Sequence, residues 1–260
     1  MIIAERQVRL RELLAERGMS DLDSLAGALH VSQSTVRRDV DALVDLGLVK
    51  RTHGGVIWIG DRGNPPNTRP YAFDQRMEYQ VDAKRLIARA ARQLVQAGET
   101  ILLDGGTTTY YFAEELDDAD IHVQIVTNSL PIANHFINSD NVELVLTGGL
   151  LYPRYGVLLG PTAEQNIASI HAKTMFFSVA GVHDALLYNP NLLLVQAEQR
   201  MMEQAQRKVL LVDSGKFGQQ ALARLCPLKL CDVVVSDGGL SREHQEQVRA
   251  AGCELIIADS

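Results

Sequence analysis

The stretch that begins at Ser32 carries residue types that could contact both the backbone and the bases of a nucleic acid. Ser32, Ser34 and Thr35 are small hydroxyl residues, and Arg37 and Arg38 follow one helical turn later. Small hydroxyl residues at a helix start let backbone amides approach a phosphate. Arginines one turn later can reach phosphates or the edges of guanine. The spacing therefore predicts a helix whose exposed face reads a DNA groove.

A second basic group lies shortly after this helix pattern. Residues 48–52 and 56–59 have the composition of two strands, and Lys50 and Arg51 lie in the first of them. The glycine-containing residues 53–55 between the strands permit a tight turn with positive φ. A basic hairpin of this kind, placed after helices, is typical of a winged helix-turn-helix domain.

Three helical patterns must position these residues. Residues 3–17 form an amphipathic pattern that ends at Gly18. We expect Ser20 to cap a second helix, with Asp23 as an acidic capping-box partner, and Ser32 to cap the third. On the third helix, apolar and polar residues occupy opposite faces. The apolar face consists of Val36, Val40, Leu43 and Val44, and the polar face consists of Ser34, Arg37, Arg38 and Asp41.

Most of the polar residues in this domain are candidates for contact with DNA. The candidate set is Ser20, Ser32, Gln33, Ser34, Thr35, Arg37, Arg38, Lys50, Arg51, His53 and Gly54. An acidic residue seldom faces a phosphate, so we expect Asp39 to hold an arginine or a neighbouring helix instead. The alternative is that the basic residues only solvate a surface, but the added hairpin favours the DNA-reading interpretation.

The rest of the chain alternates apolar strand patterns with helical patterns. The strands are expected at residues 100–103, 123–127, 142–147, 174–180, 208–212, 232–236 and 254–258. The helices are expected at about residues 75–97, 107–116, 129–138, 162–170, 196–206 and 241–251. Such alternation predicts an α/β fold with a largely parallel sheet covered on both faces. Ligands of such sheets gather at the carboxyl ends of the strands.

Four polar loops follow these strand patterns and could together hold a small anion. Glycines bring backbone amides close to an anion, hydroxyl groups add donors, and one loop offers a lysine. The loops match neither a P-loop nor a dinucleotide fingerprint, and each alone is more often a plain turn or cap. Together they predict a pocket for a polyhydroxylated anion such as a phosphorylated sugar. The candidates are Asp104, Gly105, Gly106, Thr107, Thr108, Thr127, Asn128, Ser129, Gly148, Gly149 and Lys216.

Composition restricts the class of protein. The net charge is −7, yet residues 1–57 hold eight basic and eight acidic residues, so the deficit lies in the remainder. The DNA-reading face must therefore be basic locally. Three cysteines and seven scattered histidines suit neither a disulfide framework nor a zinc site. We expect reduced thiols, no metal, no cofactor, no membrane segment, no signal peptide and a cytoplasmic location.

The chain resembles the DeoR family of bacterial transcription regulators over nearly its whole length. In the N-terminal part the resemblance lies in residues 31–39 and 51–56, with Leu25, Leu43 and Gly47. Further along it lies in Phe73, Arg76, Lys84, residues 104–108, 127–129, 148–149, Gly160 and 213–217. The resemblance implies a winged helix-turn-helix joined to a mostly parallel α/β sensor domain, similar to ribose-5-phosphate isomerase and CoA-transferase folds.

This resemblance also implies a domain plan and a function. The plan is a DNA-binding domain at residues 1–58, a linker at 59–74 and a sugar-phosphate sensor domain at 75–260. Operator DNA and a phosphorylated sugar are the expected partners, and the chain is expected to act as a homo-oligomer, a dimer or a tetramer. Asp184 and Glu198 join the effector candidates, because the charged helix start near Glu198 is similar to the one that borders the family's pocket.

One stretch departs from the family pattern and leaves alternatives open. A glycine that many relatives carry a few places after the aspartate is missing after Asp184, and residues 191–195 are unusually apolar. The leading hypothesis is a metabolite-responsive regulator that is not an enzyme, most often a repressor in such families. One alternative is a DNA binder whose sensor domain no longer binds ligand. Another is a sugar-phosphate isomerase that uses Asp104, Asp184, Glu198 and Lys216.

Overall fold

The computed structural model describes residues 6, 9–10, 13–14, 19–45, 49–52, 55–58, 73–119 and 121–259. The chain divides into two compact units, Met1–Arg69 and Pro70–Ser260. Residues 59–72 of the expected linker lie outside the described residues, as do Gly18, His53 and Gly54. Within the described ranges, no helix is long and apolar enough to cross a lipid bilayer.

The N-terminal unit is a small helical domain with a three-stranded sheet. Its elements are β1 (Met19–Ser20), α1 (Leu22–Leu29), α2 (Gln33–Asp45), β2 (Val49–Thr52) and β3 (Gly55–Trp58). The antiparallel sheet has the order β1-β3-β2. The described residues of the first predicted helix, 6, 9–10 and 13–14, are helical. The buried core consists of Leu10, Leu13, Leu14, Leu25, Leu29, Val36, Val40, Leu43, Val49 and Val56.

Strand β1 was not predicted from the sequence, and it changes the role of Ser20. Ser20 pairs with Val56 of β3. The N-cap of α1 is instead Asp21, whose carboxylate accepts a hydrogen bond from the backbone N–H of Ser24 at 2.8 Å. The prediction that Ser20 caps this helix was therefore wrong, because the strand pair includes Ser20 and leaves the next residue to start the helix.

The larger unit contains the remaining elements. Its strands are β4 (Thr100–Leu103), β5 (Val123–Thr127), β6 (Val142–Leu146), β7 (Leu150–Tyr152), β8 (Val157–Leu159), β9 (Ala172–Phe177), β10 (Gly181–His183), β11 (Leu186–Asn189), β12 (Ala205–Leu211), β13 (Ala223–Pro227), β14 (Val233–Asp237) and β15 (Glu254–Ala258). Its helices are α3 (Phe73–Met77), α4 (Val81–Arg92), α5 (Thr107–Asp117), α6 (Leu130–His135), α7 (Pro161–Ala168), α8 (Leu192–Gln204) and α9 (Arg242–Ala250).

A seven-stranded parallel sheet organises this unit. Its order is β15-β14-β12-β9-β4-β5-β6, as the strand and helix alternation predicted. Two small antiparallel sheets, β10-β11-β13 and β7-β8, complete the unit. Because the main strands are parallel, the polar loops that follow β4, β5, β6 and β12 lie at the same edge of the sheet.

Apolar layers cover both faces of the sheet. Ile101 and Leu103 belong to a cluster that includes Phe112 of α5 and Ile87 of α4. Leu102, between them, belongs to the opposite cluster. Successive side chains of a strand point to opposite faces, so this division explains the continuous apolar pattern of β4. The three cysteines, Cys226, Cys231 and Cys253, are unpaired and buried in the second cluster.

Two helix predictions in this unit need correction. The helix predicted at 75–97 is divided into α3 and α4, because Gln80 has a left-handed φ of 52°. Phe73 and Asp74, which we assigned to the linker, lie in α3. Helix α8 begins at Leu192 rather than at 196, with Asn191 as its N-cap. The buried face of α4 consists of Lys84, Ile87, Ala88 and Ala91.

Candidate DNA-binding surface and anion site

Helix α2 begins with the predicted cap and presents the predicted polar face. The Ser32 hydroxyl accepts a hydrogen bond from the backbone N–H of Thr35 at 3.3 Å. The side chains of Ser34, Arg37 and Arg38 are exposed, whereas Val36 and Val40 are fully buried. The exposed side of α2 therefore combines a hydroxyl-rich start with two arginines, the combination that can contact phosphates and base edges.

Asp39 has the structural role expected from its charge. Its carboxylate is buried and accepts hydrogen bonds from Arg6, from Nε at 2.6 Å and from Nη2 at 3.1 Å. The bidentate pair fixes one acidic residue of α2 away from the exposed face. The carboxylate therefore does not reduce the positive potential on the side of Arg37 and Arg38.

The basic hairpin β2–β3 is tied to α2 by its arginine. Arg51 donates from Nη2 to the Asp41 carboxylate at 2.5 Å and to the Arg37 carbonyl at 3.4 Å. Lys50 on the same strand is exposed. The hairpin and α2 thus form one surface, while His53 and Gly54 lie outside the described residues.

The remaining DNA candidates divide into two groups. Gln33 is exposed and donates to the Asp23 carboxylate at 2.9 Å, so it lies at the start of the polar face. Ser20 is only 9% exposed because it is paired in β1. We therefore remove Ser20 from the candidate surface.

In the larger unit, Asp104 is the central carboxylate of the predicted loop after β4. One oxygen accepts from the Gly106 N–H at 3.1 Å and from the Thr109 hydroxyl at 2.5 Å. The other oxygen accepts from the Ser178 N–H at 3.0 Å. Burial raises the pKa of Asp104, and these three hydrogen bonds oppose the shift. The carboxylate is therefore a fixed organiser of the loops after β4 and β9.

Arg76 lies close enough to Asp104 to interact with its charge, and two lysines lie close to Arg76. Arg76 of α3 lies over the rings of Phe73 and Tyr155, at 5.8 and 5.2 Å from the ring centres. Its Nε and Nη2 atoms are buried without a hydrogen-bond partner among the described residues. Lys84 and Lys216 lie close enough to Arg76 for the like charges to lower the pKa of both ammonium groups.

Burial has a larger effect on both lysines than this repulsion. It is the main reason why the pKa of Lys84 falls to about 7 and why the pKa of Lys216 is lowered. Asp213 opposes both shifts, but its Oδ1 atom has no hydrogen-bond partner among the described residues. The two Arg76 nitrogens without a hydrogen-bond partner among the described residues therefore favour an anion as the ligand of this site.

Glu198 adds another carboxyl group, close enough to Arg76 and Asp104 to interact with both charges. It is buried in α8 and accepts a hydrogen bond from the Asn189 side chain at 2.6 Å. Burial, together with the nearby Asp104, raises the pKa of Glu198 well above its usual value. A protonated carboxyl group can donate a hydrogen bond as well as accept one.

Several predicted effector residues have structural roles in these loops. The Thr127 hydroxyl donates to the Leu103 carbonyl at 2.9 Å, and Ser129 caps α6 by accepting from the Ile132 N–H at 3.4 Å.

Two of the predicted glycines lie where a side chain would not fit. A Cβ at Gly105 would lie 2.1 Å from Val157, and one at Gly149 would lie 2.7 Å from the Leu159 carbonyl oxygen. Asn128 donates to the Leu158 carbonyl at 3.2 Å, but its Oδ1 is buried without a partner in the described part of the chain.

The remaining glycines and threonines of the predicted loops lie around the sheet edge. Gly106 precedes α5, makes no side-chain cap, and has no room for a Cβ against the Ser178 hydroxyl. Thr107 and Thr108 form the buried first turn of α5. Gly148 has a φ of 72° next to Asn166 of α7, which fits a turn.

Asp184 does not join the cationic cluster. It lies in the turn of the β10–β11 hairpin with a side chain 79% exposed, 3.2 Å from the His183 ring. Its neighbours across a groove of about 510 Å³ include Glu243, His244 and Gln247 of α9. The expectation that Asp184 belongs to the same pocket as Asp104 and Lys216 therefore finds no support in the geometry.

Arg76 and Lys84 are missing from the sequence-derived effector candidates. Both precede the first strand of the sheet, so a search restricted to strand ends cannot find them. A basic residue on the apolar face of a helix is the signal that was available for Lys84. The signal available for Arg76 was its place among the residues that resemble the family, since its burial depends on the distant Tyr155 and cannot be read from a local pattern.

Comparison with known proteins agrees with this arrangement. Residues 6–61 match a model of the DeoR-like helix-turn-helix domain, and residues 79–238 match a model of the DeoR C-terminal sensor domain. The chain is 31% identical to the HTH-type transcriptional regulator GlpR of Haloferax volcanii, over 98% of each chain. It is 32% identical to the L-fucose operon activator of Haemophilus influenzae, over 89% of this chain and 90% of that protein.

A solved structure of ribose 5-phosphate isomerase A from Methanocaldococcus jannaschii is also similar. It has 20% sequence identity and a TM-score of 0.39, over 53% of this chain and 54% of that chain. The sensor-domain model alone spans more than half of the chain, and both relatives match nearly all of it. The chain therefore belongs to the DeoR family of transcriptional regulators.

Proposed function

We propose that this regulator binds operator DNA through the exposed face of α2 and the β2–β3 hairpin, and that a phosphorylated sugar or related metabolite bound in the larger unit weakens this binding. The chain would then repress a carbohydrate-metabolism operon until the metabolite accumulates. One observation carries the ligand part of the proposal: the buried guanidinium of Arg76, with two unpartnered nitrogens beside two buried lysines.

The unpartnered atoms at this sheet edge are complementary to a sugar phosphate. Arg76 supplies two free donors, whereas Asn128 and Asp213 each supply one free acceptor oxygen. A buried polar atom without a partner costs about 1–3 kcal/mol. A phosphate accepts two parallel hydrogen bonds from a guanidinium, and sugar hydroxyls can donate to carboxylate and amide oxygens. A ligand that carries both a phosphate and hydroxyl groups would give hydrogen-bond partners to the free donors of Arg76 and to the free acceptor oxygens of Asn128 and Asp213.

The regulatory mechanism is thermodynamic linkage. An effector that binds more tightly to the conformation with low DNA affinity reduces operator binding by the ratio of its two affinities. A coupling of about 1–3 kcal/mol is typical of such systems. The relative from Haemophilus influenzae is called an activator, so the sign of regulation has to be measured together with affinity.

We propose further that the larger unit is not an isomerase. The two Asp104 oxygens accept hydrogen bonds from the Gly106 N–H, the Thr109 hydroxyl, and the N–H and hydroxyl of Ser178. The Asp184 side chain is 79% exposed in the β10–β11 turn. A general base needs a free lone pair within reach of a substrate proton. Assays of the purified chain with ribose 5-phosphate and glucose 6-phosphate should show no interconversion above the rate without protein; turnover abolished by Asp104→Asn would reverse this conclusion.

A homo-oligomer is the expected DNA-binding form, either a dimer or a tetramer. Two heads on adjacent half-sites increase affinity through effective concentration. Leu150 of β7 and Leu192 of α8 are exposed by 76% and 64%, and exposed leucines of this kind are compatible with subunit contacts. Sedimentation of the full chain at micromolar concentration should give a mass of two or four chains, whereas a monomer bound to operator would contradict the proposal.

The central test combines DNA binding and effector response. Fluorescence anisotropy with DNA from upstream of this chain's gene would be titrated with ribose 5-phosphate, fructose 6-phosphate, glycerol 3-phosphate and inorganic phosphate. Arg37→Ala or Arg38→Ala should weaken DNA binding by about 1–3 kcal/mol if either arginine reads a base, and the exposed Arg249→Ala serves as control. Unchanged affinity in both variants would contradict the assignment of α2.

The effector half of the test uses the cationic cluster. Arg76→Met should retain DNA binding and lose the response to the active phosphate, because it removes the two free donors. Arg89→Met is the matched control, since Arg89 lies on the exposed side of α4 and pairs with Glu115 at 3.2 Å. A full response in Arg76→Met would place the effector elsewhere.

A further inference from the structure

Strand β6 forms one edge of the main sheet, and its backbone pairs with β5 on one side. The Val123 N–H donates to the Asn141 carbonyl at 3.1 Å. The Thr147 N–H donates to the Thr127 carbonyl at 3.0 Å. In a parallel pair, alternate residues direct their backbone groups toward the neighbouring strand, so the odd-numbered residues of β6 face β5. The N–H and C=O groups that point away from the sheet therefore belong to Val142, Leu144 and Leu146.

This outward side of β6 can accept another strand. No described strand pairs with it, and unpaired backbone groups at a sheet edge are a template for pairing with a further chain. Val145 and Leu146 are 45% and 38% exposed. The apolar side chains of β15, at the other edge of the sheet, are partly or fully buried. Strand β6 is therefore the edge that combines unpaired backbone groups with exposed apolar side chains.

Further exposed apolar residues lie before and after β6 in the chain. Ile137, in the 3₁₀ turn Phe136–Asn138, is 71% exposed, and Leu150 of β7 is 76% exposed. Phe136 belongs to the same apolar cluster as Leu144, so this turn lies on the face of the sheet formed by the even-numbered residues of β6. An apolar surface that extends on both sides of an open strand edge is typical of a subunit interface.

A second copy of the same strand fits this edge in one antiparallel register. A two-fold axis through Leu144 places Val142 opposite Leu146 of the partner subunit, and all the outward N–H and C=O groups of both strands are then paired. The same register places Glu143 opposite Val145 of the partner subunit. An axis through Glu143 would place two glutamates opposite each other, which is destabilising. An axis through Val145 would leave Val142 without a partner.

We propose that β6 pairs in this antiparallel register with β6 of a second copy of this chain, so that two larger units share one continuous sheet. This inference rests on the proposed homo-oligomer and adds the strand that forms its interface. The even-numbered side chains of both copies form one apolar row on the face that carries the Phe136–Asn138 turn. Glu143 keeps the hydrogen bond that the Gln124 side chain donates at 2.6 Å.

The test changes the charge at position 145, where the exposed side chain tolerates a polar replacement. Val145→Glu places two like charges opposite each other, and the two-fold axis repeats the pair. Its dissociation constant for this contact should therefore be about fivefold or more above that of wild type. Val145→Lys places an opposite charge there and should associate at least as tightly as wild type. Fluorescence-detected sedimentation of the full chain, extended to nanomolar concentrations, measures both constants; in a tetramer, Val145→Glu should release dimers.

A charge exchange makes the test specific for the register. The double variant Glu143→Lys with Val145→Glu should restore association, because opposite charges again lie across the axis. Leu222→Glu is the control outside β6, since Leu222 is 66% exposed, and it should associate like wild type. Thermal melting identifies any variant that fails to fold, and Val145→Lys then carries the comparison with wild type.

Two results would overturn the inference, and they differ in what they say about the proposed function. Equal association of Val145→Glu, Val145→Lys and wild type would show that the subunits meet elsewhere, and the proposed homo-oligomer would remain. A wild-type chain that is monomeric at every concentration, alone and with bound DNA, would contradict the homo-oligomer as well. The edge of β6 would then be left for a strand of a different protein.

Discussion

Lys84 is the residue at which burial and charge are most directly opposed. Its side chain is 3% exposed and burial lowers its pKa to about 7, compared with an ordinary value of 10.5. Between these two values the unfolded chain holds a proton that the folded chain does not. The free energy of unfolding contributed by Lys84 therefore rises with pH from 7 to 10.5 and is independent of pH below 7.

The same titration predicts how anion binding depends on pH. An anion favours protonated Lys84, so binding above pH 7 must take up a proton. Sulfate affinity should decline as pH rises from 7 to 9, by up to about tenfold per pH unit. Sulfate is the suitable probe because it does not titrate in this range. Calorimetry at several pH values would measure the decline.

The control for this pH dependence is Lys84→Met, which keeps the buried stem without the charge. Its decline with pH should be shallower, and any part that remains comes from other groups of the site, since burial lowers the pKa of Lys216 and raises those of Glu198 and Asp213. Asp213 and Arg76 face Lys84 as well, but Arg76 stays charged throughout. An identical pH dependence in wild type and Lys84→Met would contradict the role of Lys84.

Residue-level prediction succeeded where the role depends on near neighbours in the sequence. Ser32 caps α2 as expected, because a cap bonds to the residue three positions later. The burial of Arg76 could not be predicted from its neighbours in the sequence, since its aromatic partner Tyr155 is nearly eighty residues away. Ser20 was misassigned for the same reason: its partner in β3 could not be read from a local pattern.

At the level of elements, the missing side chain of Gly55 leaves room for strand β1 to pair with β3. Its φ is 154°, and a Cβ there would lie 2.4 Å from the Ser20 carbonyl oxygen. Gly55→Ala should therefore destabilise the N-terminal unit by more than about 1 kcal/mol, through the unfavourable φ and the clash with backbone. Urea unfolding of the full chain, followed by the fluorescence of its single tryptophan, Trp58, would measure the loss.

The matched control is Gly27→Ala. Gly27 lies inside α1, and a Cβ there would meet no atom within 4 Å. Replacing an exposed helical glycine by alanine should stabilise the unit by about 0.5–1 kcal/mol. The two substitutions should thus change stability in opposite directions. Equal effects would show that Gly55 is not constrained by β1.

Element prediction was accurate for the long apolar strands and weaker elsewhere. All seven strands of the main sheet were predicted, because each contains several consecutive apolar residues between helical patterns. The five strands of the two small antiparallel sheets, β7, β8, β10, β11 and β13, were not predicted, because three to five residues show little periodicity. The break between α3 and α4 was not predicted either, since it depends on the left-handed backbone of Gln80, and glutamine does not indicate such a conformation.

For the whole molecule, the two parts of the chain differ in net charge as well as in the ligand we propose for each. The N-terminal 57 residues are electrically balanced, and the net charge of −7 belongs to the rest. The acidic larger unit repels DNA in general, so non-specific binding should be weak and the local surface of α2 should dominate. The same unit nevertheless gathers three buried cations at one edge of its sheet. Its net charge therefore does not indicate which ligand it binds.

Linkage between the two units gives the last prediction. If ribose 5-phosphate at saturation weakens operator binding by some factor, saturating operator must weaken ribose 5-phosphate binding by the same factor. Factors of about 5 to 150 are typical. Anisotropy measures the first factor and calorimetry the second. Arg37→Ala should leave the affinity of the DNA-free chain for ribose 5-phosphate unchanged, because α2 carries no part of the anion site. If DNA affinity instead kept falling without a plateau as ribose 5-phosphate increased, the two ligands would be competing for one surface, and the assignment of separate sites would be wrong.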